Sequence, residues 1–224
     1  MKFTPNLTKT EWKHGLIAMT VAMFLLPGLI AYIPGLSGAR LNFAAHFISA
    51  GTAVYCLRRF LGKNITAALD RPFSTLYLAV LGYLAHLVFA EMADFIAWTL
   101  LPGYVNLNTQ TVQTQLSADL PLMLATTVVL APIGEECFFR GLLFRGIYDR
   151  SPILAWSLSV GLFAASHVVG YLGLYSPLAL AISFVQYLPA GIVLCITYQT
   201  TGTIMGPMLT HAIINFMAVY ATTR

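Results

Sequence analysis

Long apolar runs separated by short polar segments make up almost the whole chain. Residues 15–33 (GLIAMTVAMFLLPGLIAYI) form the first run. A helix of that length, rising about 1.5 Å per residue, crosses a hydrocarbon core about 30 Å thick. A secretory signal has a shorter apolar stretch, typically about 7 to 15 residues, so the run is expected to span the membrane. The same length test predicts further spans over 41–60, 74–100, 120–147, 153–169, 177–198 and 203–220, seven in all. The polar stretch 102–119 (PGYVNLNTQTVQTQLSAD) contains no Lys or Arg and is expected to be a loop, with room for an interfacial helix. Neither an internal repeat nor a low-complexity segment interrupts the pattern. The expectation is one all-α polytopic membrane domain over 1–224, with its chemistry between about 120 and 220.

Basic residues set the orientation. With the amino terminus in the cytoplasm, Lys2, Lys9, Lys13, Arg58, Arg59, Lys63, Arg71, Arg140, Arg145 and Arg150 fall in or near the inner face, and only Arg40 and Arg224 lie outside. That bias predicts the amino terminus inside and the carboxyl terminus outside, in a cell membrane, with a prokaryotic source expected.

Composition supports the pattern. Hydrophobic residues make up 58% of the chain and charged residues 9%, against about 25% charged in a soluble domain. A soluble globule is thereby excluded as a class, and the partner is the lipid bilayer. The net charge of +4 is modest and the basic residues do not interleave with aromatics, so nucleic acid is not an expected partner. Cys56, Cys137 and Cys195 are odd in number, without CxxC spacing, and lie in apolar runs, where they read as small core hydrophobes.

Ionisable groups inside a span are costly and mark function or pairing. The fourth span carries Glu135, Glu136 and Arg140 just after Pro132. Glu136 and Arg140 share a helix face at i,i+4, whereas Glu135 points about 100° away. One acid is matched, so the other is free to act as a general base in a low-dielectric setting. A purely structural ion cluster is the alternative reading of these three residues. His167 in the fifth span, and His211 with Asn215 at i,i+4 in the seventh, add polar groups of the same kind. By helical rise, Glu135 lies about 15 Å and His211 about 12 Å from the inner end, while His167 comes out near 21 Å. The first two depths agree, and the third requires tilt or a later helix start. In the third span His86, Glu91 and Asp94 read as packing or cleft-lining groups.

These residues resemble the motifs of the CPBP intramembrane proteases, which include the CAAX prenyl endopeptidases and bacteriocin-processing membrane proteins. The motifs stand here as EECFFR from Glu135 to Arg140, FAASH from Phe163 to His167 and HAIIN from His211 to Asn215, in order over about 132–216. The resemblance implies that Glu135 and His167 bind and activate a water, that His211 and Asn215 stabilise the oxyanion, and that Glu136 and Arg140 hold the site's shape. It implies no required cofactor, with zinc on the Glu and His side chains as the rival mechanism. Substrates are expected to be peptide or protein segments at the membrane, such as prenylated or amphipathic tails or leader peptides, entering from the membrane or the inner surface. A non-catalytic binding or immunity protein and a proton-coupled transporter are the alternatives from other classes.

Overall fold

The computed structural model describes residues 3, 4 and 7–223. Lys2 and Arg224, both used in the charge count, lie outside the described residues. Nine helices can be followed in chain order: α1 (Lys9–Ile30), α2 (Gly38–Cys56), α3 (Arg58–Leu69), α4 (Pro72–Leu100), α5 (Leu107–Ala118), α6 (Leu120–Tyr148), α7 (Pro152–Ser166), α8 (Pro177–Thr201) and α9 (Met205–Thr222). Among the described residues the fold is an all-α polytopic membrane bundle.

Five stretches are long and apolar enough to cross a membrane by themselves: α1, α4, α6, α8 and α7 continued to Tyr171. The helices α2 and α9 match expected spans as well. Their apolar character is broken by Asn42, His46 and Ser49 in α2 and by Thr210, His211 and Asn215 in α9, which all turn inward or line a cavity. The apolar side chains on the outside of the bundle, such as Phe73, Tyr77, Val88 and Phe95 on α4, are exposed as a lipid-facing surface requires.

Two expected elements differ. The run 41–60 is two helices, because the chain breaks at Leu57 and restarts as α3. In α3, Phe60, Leu61 and Asn64 turn inward while Arg58, Arg59 and Lys63 stay exposed, a three-to-four spacing that lays an amphipathic helix along the bundle's end. The stretch 102–119 is not a plain loop. It holds α5, whose amino terminus is capped by the Asn106 side chain through the amides of Asn108 and Thr109. A small core of Ala39, Leu116, Met123 and Val219 seats α5 on α2, α6 and α9.

Exposed basic residues gather at one end of the bundle: Lys9, Lys13, Arg58, Arg59, Lys63, Arg71 and Arg150. We call this the basic end, and the opposite end, capped by α5, the amide end. Arg140 does not belong to the basic surface, as it is fully buried. The basic half is packed solid. Phe3, Phe144, Tyr148, Trp156 and Tyr198 form a chain of aromatic contacts with centroids 5.2–6.3 Å apart, and the buried Leu57, Phe60, Phe139, Leu142, Leu194 and Ile204 fill the same cluster.

Candidate active site

Pro132 sits inside α6, where it cannot donate a backbone hydrogen bond. The preceding turns, Ala125–Leu130, are π-helical, as are the following ones, Cys137–Arg145. Between them lies a six-residue α-helical segment, Ala131–Glu136, that carries both acids. Gly134 lets α2 approach: a Cβ there would stand 2.5 Å from Ser49 Oγ. This close approach brings α2, and with it His46, against Glu135.

The two neighbouring acids point into different surroundings. Glu136 is fully buried, and its Oε1 accepts from Arg140 at 3.0 Å and from His211 Nδ1 at 2.8 Å. The Arg140 guanidinium also donates to the Gly191 carbonyl at 3.1 Å and lies 4.4 Å over the Phe163 ring. Glu135 instead faces a cavity of about 1070 Å³. Three imidazoles surround its carboxylate: His46 Nε2 is 3.5 Å from Oε1, and His167 Nε2 and His211 Nε2 are each 4.0 Å from Oε2.

Each ring is held through its other nitrogen. Nδ1 of His46 bonds the Asn42 carbonyl at 2.9 Å, Nδ1 of His167 the Phe163 carbonyl at 2.9 Å, and Nδ1 of His211 the Glu136 carboxylate. As carbonyls and carboxylates only accept, each Nδ1 carries the hydrogen and each Nε2 is left to face Glu135. Tyr187 fixes His167 further by stacking on it, with centroids 4.1 Å apart. Asn215 lines the same cavity and donates one amide N–H to the Thr127 carbonyl at 2.7 Å, leaving its second N–H and its oxygen.

All six expected site residues therefore come together, across α6, α9 and the carboxyl-terminal end of α7. The depth mismatch also has a cause. Measured from Tyr148, Glu135 is about 20 Å up its helix, and His167 is about 22 Å above Pro152, so the two share a level. His211 is only about 9 Å into α9. That helix starts inside the bundle, because Thr203 and Ile204 are buried beneath α3, bonded to the carbonyl and side chain of Asn64 at 2.9 and 2.8 Å. The cluster thus lies midway along these helices, not nearer the basic end, and its cavity opens at the amide end.

His46 is the residue that the motifs miss. An Asn, a His and a Ser at i, i+4 and i+7 in an apolar span were the available signal. Of the third-span candidates, His86 and Asp94 line the cavity, and Asp94 accepts from Gln186 at 2.7 Å. Glu91 is exposed on α4. Cys137 and Cys195 are buried and Cys56 half-buried, all three as free thiols. Among the described residues no three His, Cys, Asp or Glu side chains are disposed as a metal-ligand set.

Residues 117–217 match the family model described as type II CAAX prenyl endopeptidase Rce1-like. The stretch that carries the site is similar to that family. The matched stretch holds all six motif residues and leaves out His46 and the α1–α5 scaffold. This match supports an intramembrane protease. No curated protein and no solved structure matches the chain.

Proposed function

We propose that the protein is an intramembrane endopeptidase of the glutamic type, hydrolysing a peptide bond in a membrane-associated peptide or protein segment. The observation that carries this reading is the pair of adjacent acids with divided surroundings: Glu136 is fully buried with Oε1 bonded to Arg140 and His211, whereas Glu135 lines the cavity, its Oε2 4.0 Å from two imidazoles and open to a water.

The 4.0 Å between Glu135 Oε2 and His167 Nε2 is a spacing that one water spans with about 2.8 Å to each acceptor. Held there, the water gives a proton to the carboxylate as its oxygen attacks the substrate carbonyl. Glu135, now protonated, returns the proton to the leaving amine. His211 faces the same space from α9. With Nδ1–H committed to Glu136, it presents Nε2–H to the developing oxyanion as an imidazolium, and the free Asn215 N–H adds a second donor. With Nδ1–H on the Asn42 carbonyl, His46 braces the far oxygen of Glu135 as a positioning residue by donating Nε2–H, which makes it a second imidazolium facing the carboxylate.

Peptide cleavage by the detergent-purified protein, wild type against Glu135→Gln, tests the reading. The amide keeps the shape but takes no proton, so a rate loss of about 100- to 10,000-fold is expected with an unchanged melting curve. Full activity in Glu135→Gln would sink the mechanism. Chelators should leave the rate unchanged; loss on chelation restored by zinc alone moves Glu135, His167 and His211 into a metalloprotease.

A further inference from the structure

The cavity has a direction. Its walls take from α2 the residues 38–49, from α4 the residues 86–98, from α8 only Gln186, Tyr187 and Ala190, and from α9 the residues 211–222. Each range is the half of its helix that leads to the amide end. Nothing from α3, and nothing of α6 beyond Glu135, lines it. Toward the basic end the floor is closed by the buried Phe139, Phe163 and Arg140 and, below them, by the aromatic cluster, in which Phe144 and Tyr198 are buried and Phe3, Tyr148 and Trp156 half-buried. At the other end the rim is open to solvent or headgroups, with Trp98, Val105, Thr109, Gln113 and Thr222 exposed.

Charge then fixes which side of a membrane that rim faces. Exposed Lys and Arg lie at the basic end, and Arg40 is the one described Lys or Arg at the amide end. Basic residues flanking spans stay on the cytoplasmic side, and the exposed Arg58, Arg59 and Lys63 of the amphipathic α3 suit the anionic inner leaflet. The mouth is different in kind: it is lined by the uncharged amides of Asn106, Asn108, Gln113, Gln115 and Gln186, and although Asn106 bonds Gln186, Gln186 bonds Asp94 and Gln115 bonds Asn42, each primary amide keeps at least one N–H that can pair with the backbone of an extended peptide.

Resting on the protease reading for its chemistry, we propose that the site takes its substrate from the extracytoplasmic side, through the mouth beneath α5, and that the substrate is an extended peptide segment at the outer membrane surface. A cytoplasmic tail would have to pass the packed basic half to reach Glu135.

The test adds one reporter cysteine at a time to the Cys56→Ser chain, whose remaining Cys137 and Cys195 are fully buried, in cell membranes treated with a membrane-impermeant maleimide in intact cells or in inside-out vesicles. The reporters are Lys63→Cys at the basic end, Gln110→Cys on the outer face of α5 and Ile214→Cys on the cavity wall. Gln110→Cys and Ile214→Cys are expected to label in intact cells, and Lys63→Cys only in inverted vesicles. Labelling of Ile214→Cys together with Lys63→Cys, or from neither side, overturns the entry route, and labelling of Gln110→Cys only in inverted vesicles overturns the orientation. In parallel, a mixture of quenched peptides is offered to each preparation with the wild-type protein and Glu135→Gln. Cleavage confined to intact cells is expected, and cleavage confined to inverted vesicles overturns the proposal. Cleavage in neither counts against the protease reading, while the labelling, which needs no catalysis, still decides the entry route.

Discussion

The two ends of this bundle are built on opposite rules. The basic half is filled, with aromatic rings in edge contact, a buried arginine and a surface helix sealing it, and its inward residues touch neighbours on every side. The amide half is hollow around about 1070 Å³ and roofed by a helix seated on the small core of Ala39, Leu116, Met123 and Val219. A lipid-embedded bundle gains little from burying apolar groups, because the lipid is as apolar as the core, so packing and hydrogen bonds carry its stability. The filled half therefore supplies rigidity, and the hollow half gives up contacts to make a site. Glu135 and Glu136, consecutive in sequence, fall on either side of the boundary.

That division breaks down if Glu136 is not part of the filled half. Glu136→Gln leaves Arg140 buried without its counter-charge, which costs about 3 to 5 kcal/mol. Thermal melting in detergent should fall steeply and activity should go with it, in contrast to Glu135→Gln, where only activity is lost. Equal melting curves for the two variants would show that the acids share one environment. Next in size is the oxyanion side. His211→Ala or Asn215→Ala should slow turnover by about 100-fold or more, read as kcat, with KM less affected. Because His211 also bonds Glu136, its loss should lower stability as well, whereas Asn215→Ala should do so only to the extent of its bond to Thr127.

How much of this was legible beforehand follows from the range of the interactions involved. The Glu136–Arg140 pair and the shared face of His211 and Asn215 are i,i+4 relations, fixed by helix geometry, and the sequence carries them openly. Five of the expected spans are legible because length and apolarity suffice to define them, whereas α2 and α9 fall short of that test. The break at Leu57 was hidden, since Phe60 and Leu61 continue the apolar count of the preceding span while Arg58 and Arg59 turn outward. His46 was hidden for a different reason. Its role depends on Gly134 letting α2 against α6, a contact across about 85 residues that no local pattern announces. The level of His211 is not legible from helical rise alone, because α9 begins under α3 and not at the end of the bundle.

His46 offers the finer test of where the hollow half begins. It holds Glu135 from outside the family-matched stretch, and its ring is fixed by the Asn42 carbonyl of its own helix. His46→Ala should lower kcat by about tenfold, a loss of about 1.4 kcal/mol in transition-state stabilisation, with KM and melting nearly unchanged. A positioning role also predicts that His46→Gln, which restores a donor near the same oxygen, recovers part of the rate. A merely structural role would move the melting curve and leave no difference between the two variants.

The smallest expected effect lies at the roof. Gln115 of α5 accepts from the Asn42 side chain at 2.8 Å, tying one end of the roof to α2. Gln115→Ala removes one partly exposed hydrogen bond, worth about 1 kcal/mol. The His46 ring should hold its place, because its bond is to the Asn42 backbone and not to the side chain. Turnover at saturating peptide should therefore match the wild type, and any change should appear in KM, where a looser or less amide-rich mouth would act. A fall in kcat approaching that of His46→Ala would mean that the roof belongs to the catalytic geometry and that the hollow half is under tighter control than its few contacts suggest.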